Sequence, residues 1–252
     1  MHSILRQILS DKPDGVLFRC FDPWHIGYIA LFMGIGLFAL YALKPKSEAH
    51  RRKTADLFLN IAFGLYILDF FLMPLAYGEI DIEKLPFHIC TAMCVMCFLS
   101  CRSERLKPYA VTFAVLGFLS NLGYLIYPAG LMWHKTHPLS YRVVQTLCFH
   151  GFMFLYGLLV LMYESKPDCF RTWYRDLTVI VSMVLWALLG NHCYNGERFY
   201  NWFFVVRDPF YILPEATAKR MMPLFNIALF FAAQMLIYFI VYLSKRKPPQ
   251  SQ

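Results

Sequence analysis

Val143–Tyr163 reads VVQTLCFHGFMFLYGLLVLMY. It holds no Asp, Glu, Lys or Arg, and a hydrocarbon core takes about 20 apolar residues to cross as helix. In lipid no water bonds the backbone, so such a segment satisfies its own N–H and C=O groups as an α-helix. Six further apolar stretches have the same character, at 24–43, 55–74, 85–101, 109–127, 176–193 and 223–243. Of the 252 residues 58% are hydrophobic and 16% charged, against about 45–50% and 25% in a soluble domain. The expectation is all-α: a polytopic membrane protein, one domain over 1–252, folded as a bundle of seven transmembrane helices. Pro23, Pro86 and Pro223 fall near expected helix starts, Pro74 and Pro128 near stops, as helix chemistry prefers. The first 22 residues mix Arg6, Lys12 and Arg19 with Asp11, Asp14 and Asp22. They lack the apolar core of a signal peptide.

The formal charge is +8, but the basic residues sit at helix ends and in short loops: Arg51-Arg52-Lys53, Arg102, Arg105 and Lys107, and Lys245-Arg246-Lys247. That placement anchors helices among headgroups. The expected partners are membrane lipids, with no nucleic acid. Lys and Arg are commoner in the first, third and fifth loops and the C-terminal tail than on the other side. The bias puts the C-terminus in the cytoplasm and the N-terminus outside, although Lys219-Arg220 argues the other way.

With that alternation, the polar residues inside spans gather in one layer. Asp69 lies near the outer end of the second span, His88 and Cys90 at the entrance of the third, and Asn121 in the outer half of the fourth. Gln145 and His150 fall in the first turns of the fifth, and Asn191 and His192 close the sixth. At about 1.5 Å per residue these groups share roughly the outer 15 Å of the bilayer. Inverting the topology moves the layer intact. A single histidine in a helix is commonly a hydrogen-bonded core residue, and Gly117, Ser120 and Gly123 around Asn121 also suit a packing face. Several helices contributing to one depth favour a functional cavity, the default for ionisable groups within a membrane. The one long connection, 194–222, is not polar: Phe199 to Val206 is aromatic and apolar and runs into Arg207-Asp208-Pro209-Phe210-Tyr211. It suits an interfacial belt or a lid over the bundle equally.

The eight cysteines do not form a disulfide framework. Cys90, Cys94, Cys97 and Cys101 follow a helical stripe, and groups spread along one straight helix cannot converge on one ion. They read as packing side chains. Cys90 differs by its place at the helix entrance, where free N–H groups and the dipole favour a thiolate or bind an ester carbonyl or phosphate.

Leu85-Pro86-Phe87-His88-Ile89-Cys90, Gln145 with His150, Asn201-Trp202-Phe203-Phe204 and Arg207-Asp208-Pro209 together resemble the signature of the YwaF-like / transmembrane protein 164 family. The similarity runs from about Asp56 to the last span. It implies a seven-helix lipid acyltransferase of a membrane, bacterial for the YwaF-like branch, that moves a fatty acyl chain on or between phospholipids without cofactor or metal. In the family a cysteine immediately precedes the third-helix histidine; here Phe87 stands there, while the histidines are kept as His88 and His150. Cys90, three residues on and nearly on the same face, could supply the thiol, or a histidine could activate the acceptor directly. The expected catalytic set is His150, His88 and Cys90, with Asn201, Gln145, Asp69, Asn121 and Arg207 binding substrate. A small-solute transporter would show paired broken helices across a repeat, and none is visible. A non-catalytic receptor or scaffold is the remaining reading. Pigment binding lacks a lysine in the seventh span for a Schiff base.

Overall fold

The computed structural model describes Leu9 and residues 16–78, 82–132, 136–164, 169–194, 200–208 and 212–245. Arg6 to Asp14 except Leu9, Phe199, Pro209-Phe210-Tyr211 and the tail from Arg246 lie outside the described residues. Seven of the α-helices among the described residues run for three turns or more: α1 (Pro23–Leu43), α2 (Glu48–Tyr77), α3 (Ile89–Ser100), α4 (Ala110–Ile126), α5 (Tyr141–Tyr163), α6 (Trp173–Tyr194) and α7 (Glu215–Lys245). An eighth, Ala129–Met132, is a single turn, and no strand occurs among the described residues. Six helices are long and apolar enough to cross a membrane, while α3 has only 12 residues. At 1.5 Å per residue α3 reaches about 18 Å, short of a roughly 30 Å core.

The third expected span shortens because its first residues are not helical. Ile82–Lys84 forms a 3-10 turn, and His88 takes an extended backbone (φ −77°, ψ 143°) as the residue that caps α3. Pro86 lacks an N–H and disfavours helix in the residue before it. Elsewhere local chemistry sets the ends. Asp22 accepts from the His25 N–H with Pro23 in the first helical turn, Ser47 and Ser140 cap α2 and α5, and Gly78 closes α2 in the left-handed region at φ 81°. Such caps satisfy backbone donors and acceptors that the helix itself cannot. Pro223, expected at a start, lies inside α7, which begins at Glu215. The ring removes one intrahelical bond near an end that an exposed Lys219–Glu215 pair at 2.9 Å already supports.

The centre is α5. In its membrane window 78% of residues are buried, against 22% for α1 and α7, so its apolar all-round character is explained by protein on every side. It packs most extensively on α4 and α2. Gly157 is what lets α4 approach: a Cβ there would come within 2.6 Å of the Ala114 carbonyl. The faces of α1 and α7 that point away from α5 carry exposed Leu37, Phe38, Leu224 and Leu236, as lipid-facing helices require.

Candidate functional site

His150, near the middle of α5, is 4% exposed. Its Nδ1 lies 2.6 Å from Asn121 Oδ1 on α4. The Asn121 amide can face only one way, because its Nδ2 donates to the Gly117 carbonyl at 2.7 Å. Oδ1 accepts, so Nδ1 of His150 carries the proton and the Nε2 lone pair is left open. Tyr124, one turn beyond Asn121 on the same face, stacks flat on the imidazole at 3.7 Å and 9°. Phe149 meets it edge-on at 5.0 Å.

His88 has the opposite arrangement. Its Nδ1 accepts from the Phe203 N–H at 3.2 Å, which places the neutral ring's proton on Nε2. No group among the described residues bonds Nε2 of either histidine. His150 on α5 presents a lone pair, and His88 at the head of α3 presents an N–H.

The backbone segment that sets His88 is strained. Phe203 and Phe204 sit at φ 55° and 51°, where a residue with a Cβ is costly and persists only if its surroundings hold it. Asn191 on α6 accepts from the Trp202 N–H at 3.2 Å and donates to the Trp202 carbonyl at 3.1 Å. Asn226 on α7 donates to the Phe203 carbonyl at 2.9 Å. Asn201 closes the segment on itself: Oδ1 accepts from the Val206 and Arg207 N–H groups, and Nδ2 donates to the Arg207 carbonyl. Asp208 takes the Ile212 and Leu213 N–H groups at 2.9 and 3.0 Å.

The other sequence candidates fall at different distances from this centre. Asp69, 1% exposed, is bound by the Tyr141 hydroxyl at 2.8 Å and pairs with Lys84 at 2.7 Å. Tyr66 holds the Lys84 carbonyl at 2.9 Å, so the turn before α3 is fastened to α2. Gln145 donates to the Leu65 carbonyl at 3.1 Å and joins α5 to α2. Cys90 lies in the first turn of α3, within electrostatic reach of Lys84 and Tyr124. Arg207 faces outward and reaches Glu215 at 3.7 Å, and His192 is exposed. Phe87 packs in an aromatic cage of Trp186, Trp202 and Tyr194, and a Cβ at Gly190 would meet its ring at 2.5 Å.

Sequence reasoning missed Tyr124, Lys84 and Asn226. The first had a signal, the three-residue spacing that places it beside Asn121 on one helix face. Lys84 was visible only as a loop cation. Cys20, Cys90, Cys94, Cys97, Cys101, Cys148 and Cys193 are free thiols, and no group of metal-ligating residues gathers among the described residues. A cavity of about 90 Å³ opens elsewhere, lined by Glu48, Arg51, Arg52, Ala55, Leu159, Tyr163 and Glu164. Glu164 is about 21 Å along α5 from His150, so that cavity is no part of the histidine layer.

The family model described as the TMEM164 family matches residues 20–244, and the chain belongs to that family. No curated protein and no solved structure matches it.

Proposed function

We propose that this TMEM164-family membrane protein is a lipid acyltransferase, moving a fatty acyl group on or between phospholipids at a two-histidine site within the bilayer. The observation that carries the reading is the pair of opposite tautomers, each with an unbonded Nε2, on α5 and at the head of α3. Acyl transfer needs a base, and it needs donors for the oxygen that becomes negative in the transition state. His150 Nε2 is the base. His88 Nε2–H and the backbone N–H groups of the first turn of α3, which receives no side-chain cap, are the donors.

In the reaction, a lysolipid hydroxyl gives its proton to His150 Nε2 as its oxygen bonds the ester carbon of the donor. The carbonyl oxygen becomes an oxyanion facing His88 and the α3 terminus. Collapse breaks the donor's C–O bond, and His150 returns the proton to the leaving alkoxide. Water in place of the lysolipid gives hydrolysis. Cys90 is the alternative first acceptor: its thiol gives its proton to His150 and its sulfur bonds the ester carbon. The donor's C–O bond breaks as His150 returns the proton to the leaving alkoxide. The lysolipid hydroxyl then attacks the thioester, its proton passing through His150 to the released thiolate. Asn121 orients His150, while Asp69, Gln145, Asn201 and Arg207 shape the surroundings and entrance.

Seven helices embed in this reading, α3 crossing with the help of the non-helical residues before it. Such backbone is tolerated at depth only where it is buried in protein or lines a cavity. The basic loops put the C-terminus in the cytoplasm and the histidine layer in the outer half. Purified protein mixed with phospholipid and lysolipid of different acyl chains tests the proposal. Redistribution of chains that is lost in His150→Ala supports it; the same composition with either protein overturns it.

A further inference from the structure

A second buried polar cluster lies at the junction of α4, α6 and α7, apart from the histidines. Asp176 and Gln234 are both 0% exposed, Thr112 is 5% and Tyr238 3%. The Thr112 hydroxyl at 2.7 Å, Gln234 Nε2 at 2.6 Å and the Tyr238 hydroxyl at 3.1 Å all donate to the same carboxylate oxygen, Asp176 Oδ1. Gln234 Nε2 also donates to the Tyr238 oxygen at 3.0 Å, which fixes the amide orientation. The arrangement is lopsided. Asp176 Oδ2 and Gln234 Oε1 are buried with no hydrogen-bond partner among the described residues.

Both orphan atoms are acceptors when the carboxyl is ionised, so what is missing is something positive. No Lys, Arg or His among the described residues makes an ion pair with Asp176. Arg175, beside it on α6, acts on it electrostatically but aims its guanidinium at the Pro108 carbonyl, 3.3 Å away. From α4 the facing group is the neutral Thr112, and from α7 the Tyr238 phenol. A buried carboxylate without a cation is among the more costly things a membrane interior can hold.

We propose that this junction binds one unit of positive charge, a proton or a monovalent metal ion, between Asp176 Oδ2 and Gln234 Oε1. A proton on Oδ2 donated toward the amide oxygen satisfies both orphans with one bond. A metal ion would take the same two oxygens, with the Thr112 and Tyr238 oxygens beside them. An all-oxygen set with a single negative charge suits a hard monovalent ion and leaves a divalent one uncompensated. The bound charge locks three helices together. It also sets α7, whose Asn226, two turns before Gln234, holds the strained segment against His88.

Thermal unfolding of the full chain in nanodiscs, followed from acid to alkaline pH in choline, sodium or potassium chloride, tests the site. A carboxyl that keeps its proton to higher pH when folded than when unfolded contributes stability at low pH and loses it as pH rises. In choline the wild type should lose roughly 3–10 °C of melting temperature on the alkaline side, and Asp176→Asn should not. Recovery of that loss by sodium or potassium identifies the metal ion; no recovery identifies the proton. Parallel profiles for the wild type and Asp176→Asn, with no response to either salt, overturn the proposal. If Asp176→Asn fails to fold, infrared spectra of the wild type decide. A protonated-carboxyl band that fades with pH or with added metal ion supports the site, and its absence, with no salt effect on melting, rejects it.

Discussion

At one end of α5, each nitrogen of the Arg52 guanidinium has a partner: it pairs with Glu164 and with Asp56 at 3.0 Å and donates to Cys101 Sγ at 3.1 Å. Toward the other end, His150 and His88 each spend one ring nitrogen on a neighbour and leave the second unbonded. Both ends hold groups that are expensive in a membrane. In the Arg52 knot every guanidinium nitrogen has a partner, which is how charged helix ends become structural. The histidine end keeps unused hydrogen-bonding capacity, pre-oriented by Asn121 and by a strained backbone. Polar residue type does not separate the two; what separates them is the bond left unmade.

Substitutions can break that contrast. The largest effect belongs to His150→Gln, which removes the lone pair at little cost in volume. Acyl transfer should fall about 10²–10⁴-fold while melting temperature barely moves, read by lipid mass spectrometry beside a thermal scan. Asn121→Leu leaves the imidazole but frees its tautomer and orientation. A loss of about 10²-fold is expected, and the pH–rate profile should shift because the ring can now present either nitrogen, a change that a packing defect alone would not produce. Asn226→Ala lets the Phe203 segment relax. Turnover should drop about tenfold, and Asn226→Asp, which cannot donate to the Phe203 carbonyl when ionised, should not rescue it. Arg52→Gln is the reverse case. The partly exposed pairs should cost about 1–2 kcal/mol of stability once screening is allowed for, with turnover per folded molecule unchanged.

How much of this was legible in the sequence depends on the length scale of the signal. Apolar runs placed every long helix, and of the residues expected in one layer His150 and Asn121 meet directly. Helix ends were read less well. The helix of α2 begins at Glu48, ahead of Ala55, because a polar helical turn can project past the lipid with Ser47 as its cap. The Pro86 turn shortened α3 from the other direction. Asn201 looked like a ligand group from its motif, yet its three hydrogen bonds close its own segment. The reason is local: an amide five and six residues from its partners reads identically in sequence whether it faces a substrate or its own backbone. The positive φ of Phe203 and Phe204 had no sequence signal, since phenylalanine does not favour that region. Tertiary holds from Asn191 and Asn226 impose it. Phe87 was flagged only as the place of a missing thiol, and its burial against Gly190 shows a packing role that composition could not reveal.

Nitrogen-15 NMR of histidine-labelled protein in nanodiscs, with and without an ether-linked phospholipid that cannot be cleaved, tests the central claim most directly. The account predicts two histidines in opposite neutral tautomers, His150 protonated at Nδ1 and His88 at Nε2. It also predicts that the lipid perturbs the Nε2 resonances of both together. Identical tautomers, or lipid that leaves both Nε2 resonances untouched, would contradict it.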